Sequence, residues 1–316
     1  MAVVGVGHLG RHHARILAAL DTVDLVAVVD SNAARAQEIA SAAGTRALTD
    51  VRDLPDVDAV SIAVPTEAHA AVAVPLLTRG VSALVEKPLA RSLVEADAMI
   101  DAATRSGATL AVGHTERFNP AVTAAMTHIT RPGFVEVHRL GTFPERSLDI
   151  DVVFDLMIHD LDVLLATVGA DVTGIEAVGV PVLTNRVDIA NARLRFASGC
   201  IANLTASRIS KDRVRKVRFF QPQSYVSIDY ASQELELWRL QTNGGAPAIQ
   251  GGKVEITKEE PLKIELEDFV RAVRTKTPPA VTGADGRRAL ALAQRITERI
   301  EEGRIDGGSG SSPLTS

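Results

Sequence analysis

The chain has 316 residues, 46% of them hydrophobic, which is enough to bury two ordinary cores. Its net charge of −5 and aromatic fraction of 3% argue against a nucleic-acid partner, because nucleic acids are bound by clustered cations and aromatic stacking. The single cysteine, Cys200, excludes an internal disulfide and a multi-cysteine zinc site. Without a signal-peptide pattern or a long apolar run, we expect a cytoplasmic protein with no membrane partner.

The first ten residues place glycines directly after a short apolar run, and apolar residues at helical spacing follow over 11–20. Strand, glycine turn and helix is the order that binds a dinucleotide. Gly5 permits the tight turn, Gly7 leaves room for a pyrophosphate, and Gly10 lets the helix pack closely. Phosphates are expected at the helix start, where the helix dipole favours negative charge. The turn residues predicted to contact the cofactor are Gly5, Gly7, His8, Leu9 and Gly10.

Asp30 closes a second apolar run at 24–29. An acid at this position accepts hydrogen bonds from the ribose hydroxyls of the adenosine half. No lysine or arginine follows immediately to pair with a 2′-phosphate, so NAD is favoured over NADP, and Arg35 is the main argument for NADP. Asp30 also suits the N-cap of the helix predicted over 33–43, and the two roles are compatible.

A third predicted strand, at 58–64, runs into Pro65 and Thr66. The carboxyl ends of parallel strands border the ligand, so these two residues are expected beside the cofactor. His69 follows at the start of a helix. It either caps the helix or contacts the nicotinamide half of the cofactor, and the sequence leaves both possibilities open.

The next predicted strand, 81–85, runs directly into Glu86-Lys87-Pro88. A lysine fixed at a strand end by a following proline has less freedom than a surface lysine, which makes Lys87 a site candidate beside Glu86. An exposed loop lysine is the alternative.

The remaining pattern predicts an α/β fold: an N-terminal Rossmann fold followed by an α+β domain with a large open, mostly antiparallel sheet. Helix 92–106 and strand 109–112, taken as the sixth strand, complete the Rossmann domain. The predicted division is 1–118, 119–305 and a flexible tail at 306–316. The second domain has predicted helices at 119–129, 151–168, 265–276 and 284–302. Its predicted strands lie at 134–140, 174–179, 190–196, 200–207, 214–221, 226–229, 235–240 and 253–257, with a glycine-rich loop at 241–252.

The helix predicted over 151–168 is apolar almost all round, which indicates a buried helix, yet Asp151, Asp155, His159 and Asp162 recur on one face. Charges do not face a core without partners, so this stripe is expected to line a cavity. Asp155 then orients His159 as a general base. A satisfied core histidine and a metal site with His114 or His69 are the alternatives, and we assign no metal.

Together, the glycine turn, Asp30, Glu86-Lys87-Pro88 and Asp155-x-x-x-His159-Asp160 resemble the glucose/fructose oxidoreductase and inositol dehydrogenase (Gfo/Idh/MocA) superfamily. The resemblance implies hydride transfer between a nicotinamide and a secondary alcohol, usually on a sugar or cyclitol. It implies that Lys87 hydrogen-bonds the reacting hydroxyl and that His159 takes its proton with Asp155 behind it, although the lysine is an alternative base. It also implies homodimers or homotetramers formed through the C-terminal sheet.

Within the superfamily, the motifs at 113–120, 154–162 and 206–210 look most like UDP-N-acetylglucosamine 3-dehydrogenases. Those enzymes make a 3-keto sugar that is later transaminated for lipid A biosynthesis. Their substrate carries a diphosphate, which arginines bind well, although an arginine is as often a salt-bridge partner. The predicted substrate-binding residues are Arg117, Asn119, Arg146 and Arg208, with Lys211 nearby.

Two other functions stay open, a dehydrogenase of a free sugar or inositol and a redox-inactive NAD-binding sensor or scaffold. The chain also starts flush with its first strand, whereas members of the superfamily usually have several residues before it. Three explanations stay open: a misassigned start, a shortened chain, or a weakened edge at the cofactor site.

Overall fold

The computed structural model describes residues 1–143, 150–241 and 247–305. They form two compact units, one comprising Met1–Phe118 and Glu259–Leu290 and the other comprising Asn119–Lys258 and the chain from Ala291. Arg146 and the predicted tail at 306–316 lie outside the described residues. The predicted fold class is confirmed, with a parallel sheet in the first unit and a mostly antiparallel sheet in the second.

The strands of the N-terminal unit are β1 (Ala2–Val4), β2 (Ala27–Val29), β3 (Arg46–Leu48), β4 (Ala59–Ile62), β5 (Ser82–Glu86) and β6 (Leu110–Gly113). They pair in parallel in the order β3-β2-β1-β4-β5-β6, the arrangement of a doubly wound dinucleotide-binding sheet. The prediction gave no segment for β3, because this three-residue edge strand includes the exposed Arg46 and has no strong apolar run.

The helices are α1 (Gly10–Ala18), α2 (Ala33–Ala43), α3 (His69–Thr78), α4 (Leu93–Ser106), α5 (Pro120–Met126), α6 (Ile158–Val168), α7 (Pro261–Thr275) and α8 (Gly283–Ile305). Short 3₁₀ turns lie at Val51–Asp53, Thr66–Ala68 and Thr115–Phe118. Helix α2 has the predicted bounds, and α4 begins after the N-cap Ser92, whose side chain accepts a hydrogen bond from the Glu95 amide.

Helix α7 belongs to the N-terminal unit, although the sequence division assigned its residues to the second domain. Its amphipathic pattern places Leu266, Phe269 and Val270 on one face, and these side chains enter the same buried cluster as Val3 and Leu17. Burial of that apolar face explains why the first unit recruits residues from far along the chain.

The second unit contains an eight-stranded sheet in the order β14-β13-β12-β11-β7-β10-β9-β8. Its strands are β7 (Phe134–Leu140), β8 (Val172–Val180), β9 (Ile189–Phe196), β10 (Ile201–Ser207), β11 (Val214–Gln221), β12 (Ser224–Asp229), β13 (Glu234–Gln241) and β14 (Ala248–Val254). All neighbours pair antiparallel except β7 and β10, which are parallel.

Strand β14 corrects the prediction of a glycine-rich loop at 241–252 and a strand at 253–257. It pairs with β13 from Ala248 to Val254. Gly251 fits this edge because a Cβ atom there would lie 1.9 Å from the Leu237 carbonyl oxygen. Glycine thus allows close approach of two backbones here, so its presence did not mark a loop.

An aromatic row crosses four adjacent strands on the face of this sheet opposite the buried Val135 and Phe219. The registers pair Phe134 with Phe220, Phe220 with Tyr225, and Tyr225 with Trp238. Ring centroids lie 5.6 Å apart for the first pair and 5.2 Å for the second, within the range of favourable aromatic contacts. Phe220 is 38% exposed and Trp238 40% exposed. We call these four residues the outer aromatic row.

Candidate active site

The glycine turn between β1 and α1 has no space for side chains at two of its glycines. Gly5 has φ +84°, and a Cβ atom there would lie 2.7 Å from the Val64 amide nitrogen. At Gly10 a Cβ atom would lie 1.8 Å from the Gly5 carbonyl oxygen. Both distances are far shorter than a van der Waals contact, so any larger residue would force the turn open.

Gly7 has open space beside it. A Cβ atom there would meet only the Arg35 Nη1 atom, at 3.7 Å. His8 and Leu9 are exposed on the same turn, and the N-cap residue of α1, Leu9, makes no side-chain hydrogen bond to the start of the helix. An open backbone, uncapped helix amides and a nearby guanidinium fit the phosphates of a dinucleotide.

Asp30 lies at the carboxyl end of β2 and is bound to the glycine turn. One carboxylate oxygen accepts a hydrogen bond from the Val6 amide at 3.0 Å, and the other accepts one from the Asn32 amide at 2.9 Å. The N-cap of α2 is Asn32, whose side chain accepts a hydrogen bond from the Arg35 amide at 3.1 Å. The alternative in which Asp30 caps the helix is therefore wrong.

His69 joins the loops that follow β4 and β5. Its Nε2 lies 3.0 Å from the Val64 carbonyl oxygen, and its Nδ1 lies 3.1 Å and 3.2 Å from the carbonyl oxygens of Pro88 and Leu89. The side chain is buried, and the N-cap of α3 is Ala68. The ring thus lies between the backbone beside Pro65 and the backbone beside Lys87, and a ring nitrogen that carries a proton donates to the carbonyl oxygen next to it. The capping alternative for His69 is wrong.

Glu86 is buried at the end of β5, where its carboxylate binds α1. One oxygen lies 3.1 Å from His13 Nε2, and the other accepts a hydrogen bond from the Lys87 amide at 3.1 Å. The opposite ring nitrogen of His13 lies 2.7 Å from the Ser61 hydroxyl oxygen. Burial raises the pKa of Glu86, but the hydrogen bond and charge of His13, with the Lys87 charge and amide, hold it below its ordinary value.

His13 is a residue of this site that was not predicted from the sequence. The position of His13 in the sequence could have indicated that it is buried. It lies three residues before Ile16 and four before Leu17, which places it on the apolar stripe of α1. A polar side chain on a buried stripe requires a polar partner. The identity of that partner cannot be obtained from periodicity, because Glu86 lies 73 residues away.

Lys87 is half-buried, and its peptide bond to Pro88 is cis. The charge of Lys87 affects two buried groups, Glu86 on β5 and His114 directly after β6. Burial, together with the positive charges of Lys87 and Arg117, lowers the pKa of His114 to about 3. The His114 imidazole is therefore neutral at ordinary pH, and Glu86 and Asp285 are the acids whose negative charges act on it.

In the second unit, the helix predicted over 151–168 starts with a π-helical turn. This turn covers Val153–Met157, and α6 continues from Ile158 to Val168. Asp155 lies in the turn and His159 in the first turn of α6, and both are half-buried. Single π-helical turns occur frequently at functional sites.

The neighbouring acids of α6 are buried. Asp160 accepts hydrogen bonds from Arg139 at 2.6 Å and 3.0 Å, and the Arg139 guanidinium carbon lies 5.1 Å from the Tyr230 ring centroid. Asp162 is also buried. The Arg139–Asp160 pair fixes α6, the helix that carries His159, against β7.

Arg208 occupies a buried network at the start of the same segment. Its Nε donates to Asp188 at 2.8 Å, its Nη1 to the Ile150 carbonyl oxygen at 2.6 Å, and its Nη2 to the Thr184 hydroxyl at 3.1 Å. Its side chain is 2% exposed. The arginine predicted to bind substrate thus holds the chain that leads into the π-helical turn.

The other predicted substrate residues occupy different places. Asn119 is buried, caps α5 through the Ala121 amide at 3.1 Å, and donates to the Tyr230 carbonyl oxygen at 3.0 Å. Arg117 is half-buried in the N-terminal unit and donates to the Ala280 carbonyl oxygen at 3.4 Å. The first unit thus contains the glycine turn, Asp30 and Lys87, and the second contains Asp155 and His159.

Among the described residues, no three His, Cys, Asp or Glu side chains are grouped so that they could hold a metal ion. The described helices also include none that is both long and apolar enough to cross a membrane.

The relatives of this chain resemble it over nearly its whole length. It is 40% identical over 303 residues to UDP-N-acetylglucosamine 3-dehydrogenase from Acidithiobacillus ferrooxidans, covering 95% of this chain and 96% of that protein. A solved structure of UDP-N-acetylglucosamine 3-dehydrogenase from the same organism superposes with a TM-score of 0.89 at 39% identity, covering 95% and 97% of the two chains. Myo-inositol 2-dehydrogenase from Thermotoga maritima is 25% identical, covering 96% and 97%.

Two family models cover most of the chain. Residues 1–114 match the oxidoreductase family with an NAD-binding Rossmann fold, and residues 122–222 match the Gfo/Idh/MocA C-terminal domain. The family predicted from the sequence is therefore confirmed, and with it the nicotinamide dinucleotide class of cofactor. This chain belongs to the Gfo/Idh/MocA family of oxidoreductases.

Proposed function

We propose that this protein is an NAD-dependent dehydrogenase that oxidises the 3-hydroxyl of UDP-N-acetylglucosamine to a ketone. The observation that carries the proposal is the 40% identity, over 95% of the chain, to a protein of that name. The open turn at Gly7 and the carboxylate of Asp30 support the cofactor half of the reaction. Lys87 and His159, both half-buried, support the proton transfer from the reacting hydroxyl.

Asp30 favours NAD over NADP in this proposal. Its carboxylate is held at the end of β2 by two backbone amides, and each oxygen keeps a lone pair for a ribose hydroxyl. A 2′-phosphate at the same place would meet a negative charge. Arg35 lies beside Gly7, where its charge suits the pyrophosphate.

Lys87 donates a hydrogen bond to the reacting hydroxyl, and His159 removes the hydroxyl proton as the general base. Asp155 holds the His159 imidazole in the orientation for that transfer and stabilises the imidazolium that results. When NAD is bound, it supplies the acceptor for the hydride that leaves the carbon. The carbon loses a hydride and the oxygen loses a proton, which leaves the ketone.

Recognition of the UDP diphosphate belongs to arginines in this proposal. Arg117 and Arg146 are the candidates for direct contact, because guanidinium groups bind phosphate in a bidentate manner. Arg208 and Asn119 contribute indirectly, since the buried contacts of Arg208 hold the entry to the π-helical turn and Asn119 caps α5.

The test is to incubate the protein with NAD and a panel of UDP-sugars, free sugars and inositols, and to follow NADH formation by absorbance. We expect turnover with UDP-N-acetylglucosamine. Lys87→Ala and His159→Ala should each lower kcat by about 10²- to 10⁴-fold, the usual contribution of a positioned acid or base. Lys263→Ala and His128→Ala, which change a partly exposed lysine and histidine elsewhere in each unit, are the matched controls. Full activity of the Lys87 and His159 variants would contradict the assigned roles.

Oxidation of a free polyol is the second candidate function, and the similarity to myo-inositol 2-dehydrogenase favours it. Such a substrate has no diphosphate, so Arg146→Ala would leave its kcat/KM unchanged. For a UDP-sugar the same variant should raise KM. Turnover of inositol without turnover of any UDP-sugar would replace the first proposal with the second.

A further inference from the structure

A buried polar chain joins three elements of the N-terminal unit and ends on the backbone of Lys87. It runs from Ser61 on β4 through His13 on α1 to Glu86 on β5, with contacts of 2.7 Å and 3.1 Å. Glu86 then accepts a hydrogen bond from the Lys87 amide at 3.1 Å. Ser61 and His13 are fully buried, and Glu86 is 6% exposed.

The carboxylate of Glu86 requires a donor at this depth. Burying an ionised carboxylate is costly unless hydrogen bonds compensate it. His13 Nε2 supplies one donor, and Gly113 supplies space, because a Cβ atom on Gly113 would lie 3.0 Å from the Glu86 carboxyl carbon. The carboxylate thus has one defined position, fixed by α1 on one side and by β6 on the other.

We propose that His13 is a positioning residue for Lys87, acting through the Glu86 carboxylate that it binds. By holding this carboxylate, His13 fixes the backbone from which the lysine side chain extends. It also fixes the distance from the carboxylate to the lysine ammonium group. This inference rests on the proposed function of Lys87 in hydride-transfer chemistry. It adds a part of the machinery that lies on the helix following the glycine turn. The Lys87 charge acts on two buried groups, Glu86 and His114. The other charged and titratable groups that act on these two are His13 on α1, Arg117 after β6 and Asp285 on α8.

The distinction between the two ring nitrogens gives a sharp test. Glutamine places an amide nitrogen near the position of His13 Nε2, so His13→Gln keeps the donor to Glu86. Asparagine places its amide near Nδ1, so His13→Asn keeps the contact with Ser61 and loses the donor to Glu86. The two variants differ by one methylene group and remove the same imidazole, so they control for each other.

In His13→Asn, the carboxylate is released from α1 and is free to approach the lysine ammonium group. We expect the pKa of Lys87 to rise by about 1, because an opposite charge at close range favours the charged form. We expect kcat to fall on the order of 10²-fold, as for a small misplacement of a reacting group, with the KM for NAD changed less than kcat. His13→Gln should keep both values close to those of wild type.

The pKa of Lys87 is measured without turnover, from the pH dependence of its acetylation by acetic anhydride, quantified by mass spectrometry of the Lys87 peptide. Melting temperatures of all variants are recorded in parallel. A purely structural role of His13 would lower the melting temperature and leave the labelling profile of the folded protein unchanged. That outcome, or equal changes in the Asn and Gln variants, would overturn the proposal.

If His13→Asn fails to fold, the Lys87 labelling profiles of His13→Gln and Gly113→Ala test the proposal instead. The added methyl group of Gly113→Ala displaces the Glu86 carboxylate, so a shifted Lys87 labelling profile is expected and a wild-type profile would overturn the proposal. If wild type turned over no sugar at all, the proposed function would fail, while the labelling profiles would still test the positioning of Lys87.

Discussion

The Asp30 carboxylate fixes the glycine turn through the Val6 amide, and in the proposed function the same carboxylate binds the adenosine ribose. Asp30→Asn keeps an acceptor oxygen and removes the charge. We expect the KM for NAD to rise about tenfold or more, since a hydrogen bond to a charged group contributes about 1.5–3 kcal/mol. The KM for NADP should fall or stay constant, because the repulsion of its phosphate is removed. Initial rates with both cofactors check this, and an unchanged NAD preference would refute the ribose role.

At the residue scale, the sequence predicts the functional side chains that follow strands, but it does not predict which residues form hydrogen bonds with them. Gly5 and Asp30 stand out because each directly follows an apolar run, and Lys87 stands out because it lies between a strand end and a proline. The partner of Glu86 and the three carbonyl oxygens around His69 depend on contacts between distant segments. Arg208 shows the same limit. Its motif suggests a phosphate ligand, whereas its partner Asp188 lies 20 residues earlier in the chain, directly before β9.

At the element scale, Asp188, the residue directly before β9, organises the turn that precedes it. Its carboxylate accepts hydrogen bonds from the backbone amides of Val182, Leu183 and Thr184 at 2.7–2.9 Å, and from Arg208. Burial raises the pKa of Asp188, but these donors outweigh burial and hold it far below its ordinary value. Breaking a buried pair of this kind costs about 3–5 kcal/mol, so Arg208→Ala should lower the free energy of unfolding by that amount.

The lowered pKa of Asp188 also predicts a pH dependence. The carboxylate of an unfolded chain titrates near pH 3.9, so the stabilisation is complete above that pH and is lost as the pH falls toward the folded value. Urea unfolding of wild type and Asp188→Asn should show a constant difference in unfolding free energy above about pH 5 that narrows below about pH 4. A difference that does not narrow in acid would contradict this assignment.

The bounds of strands in which buried and less buried side chains alternate were predicted closely. The bounds of elements without such a pattern were not. Strands β7 and β11 have the predicted bounds because a buried and a less buried side chain alternate along most of their length. Strand β14 was missed because its outward residues are exposed and its glycines resemble a loop. The π-helical turn before α6 has no signature in the sequence, since its apolar residues also fit an α-helix.

At the scale of the whole molecule, we propose that the second unit associates with a second copy of the chain through the outer aromatic row. Isolated exposed apolar residues are ordinary, but a continuous row across four strands is typical of a contact surface. Phe220→Lys should shift the molar mass measured by light scattering toward the monomer. Val94→Lys, which changes a 78% exposed residue on α4, is the control. A monomeric wild type, or an unchanged mass for Phe220→Lys, would contradict the proposal.

The outer aromatic row has an optical consequence. Trp238 is the single tryptophan of the chain, so all tryptophan fluorescence of the protein originates from this row. Its indole is 40% exposed in one copy of the chain and lies opposite Tyr225. Emission should therefore shift to shorter wavelength and resist quenching by iodide when the face is covered. A simple dilution series read by fluorescence would report the state of this surface without any label.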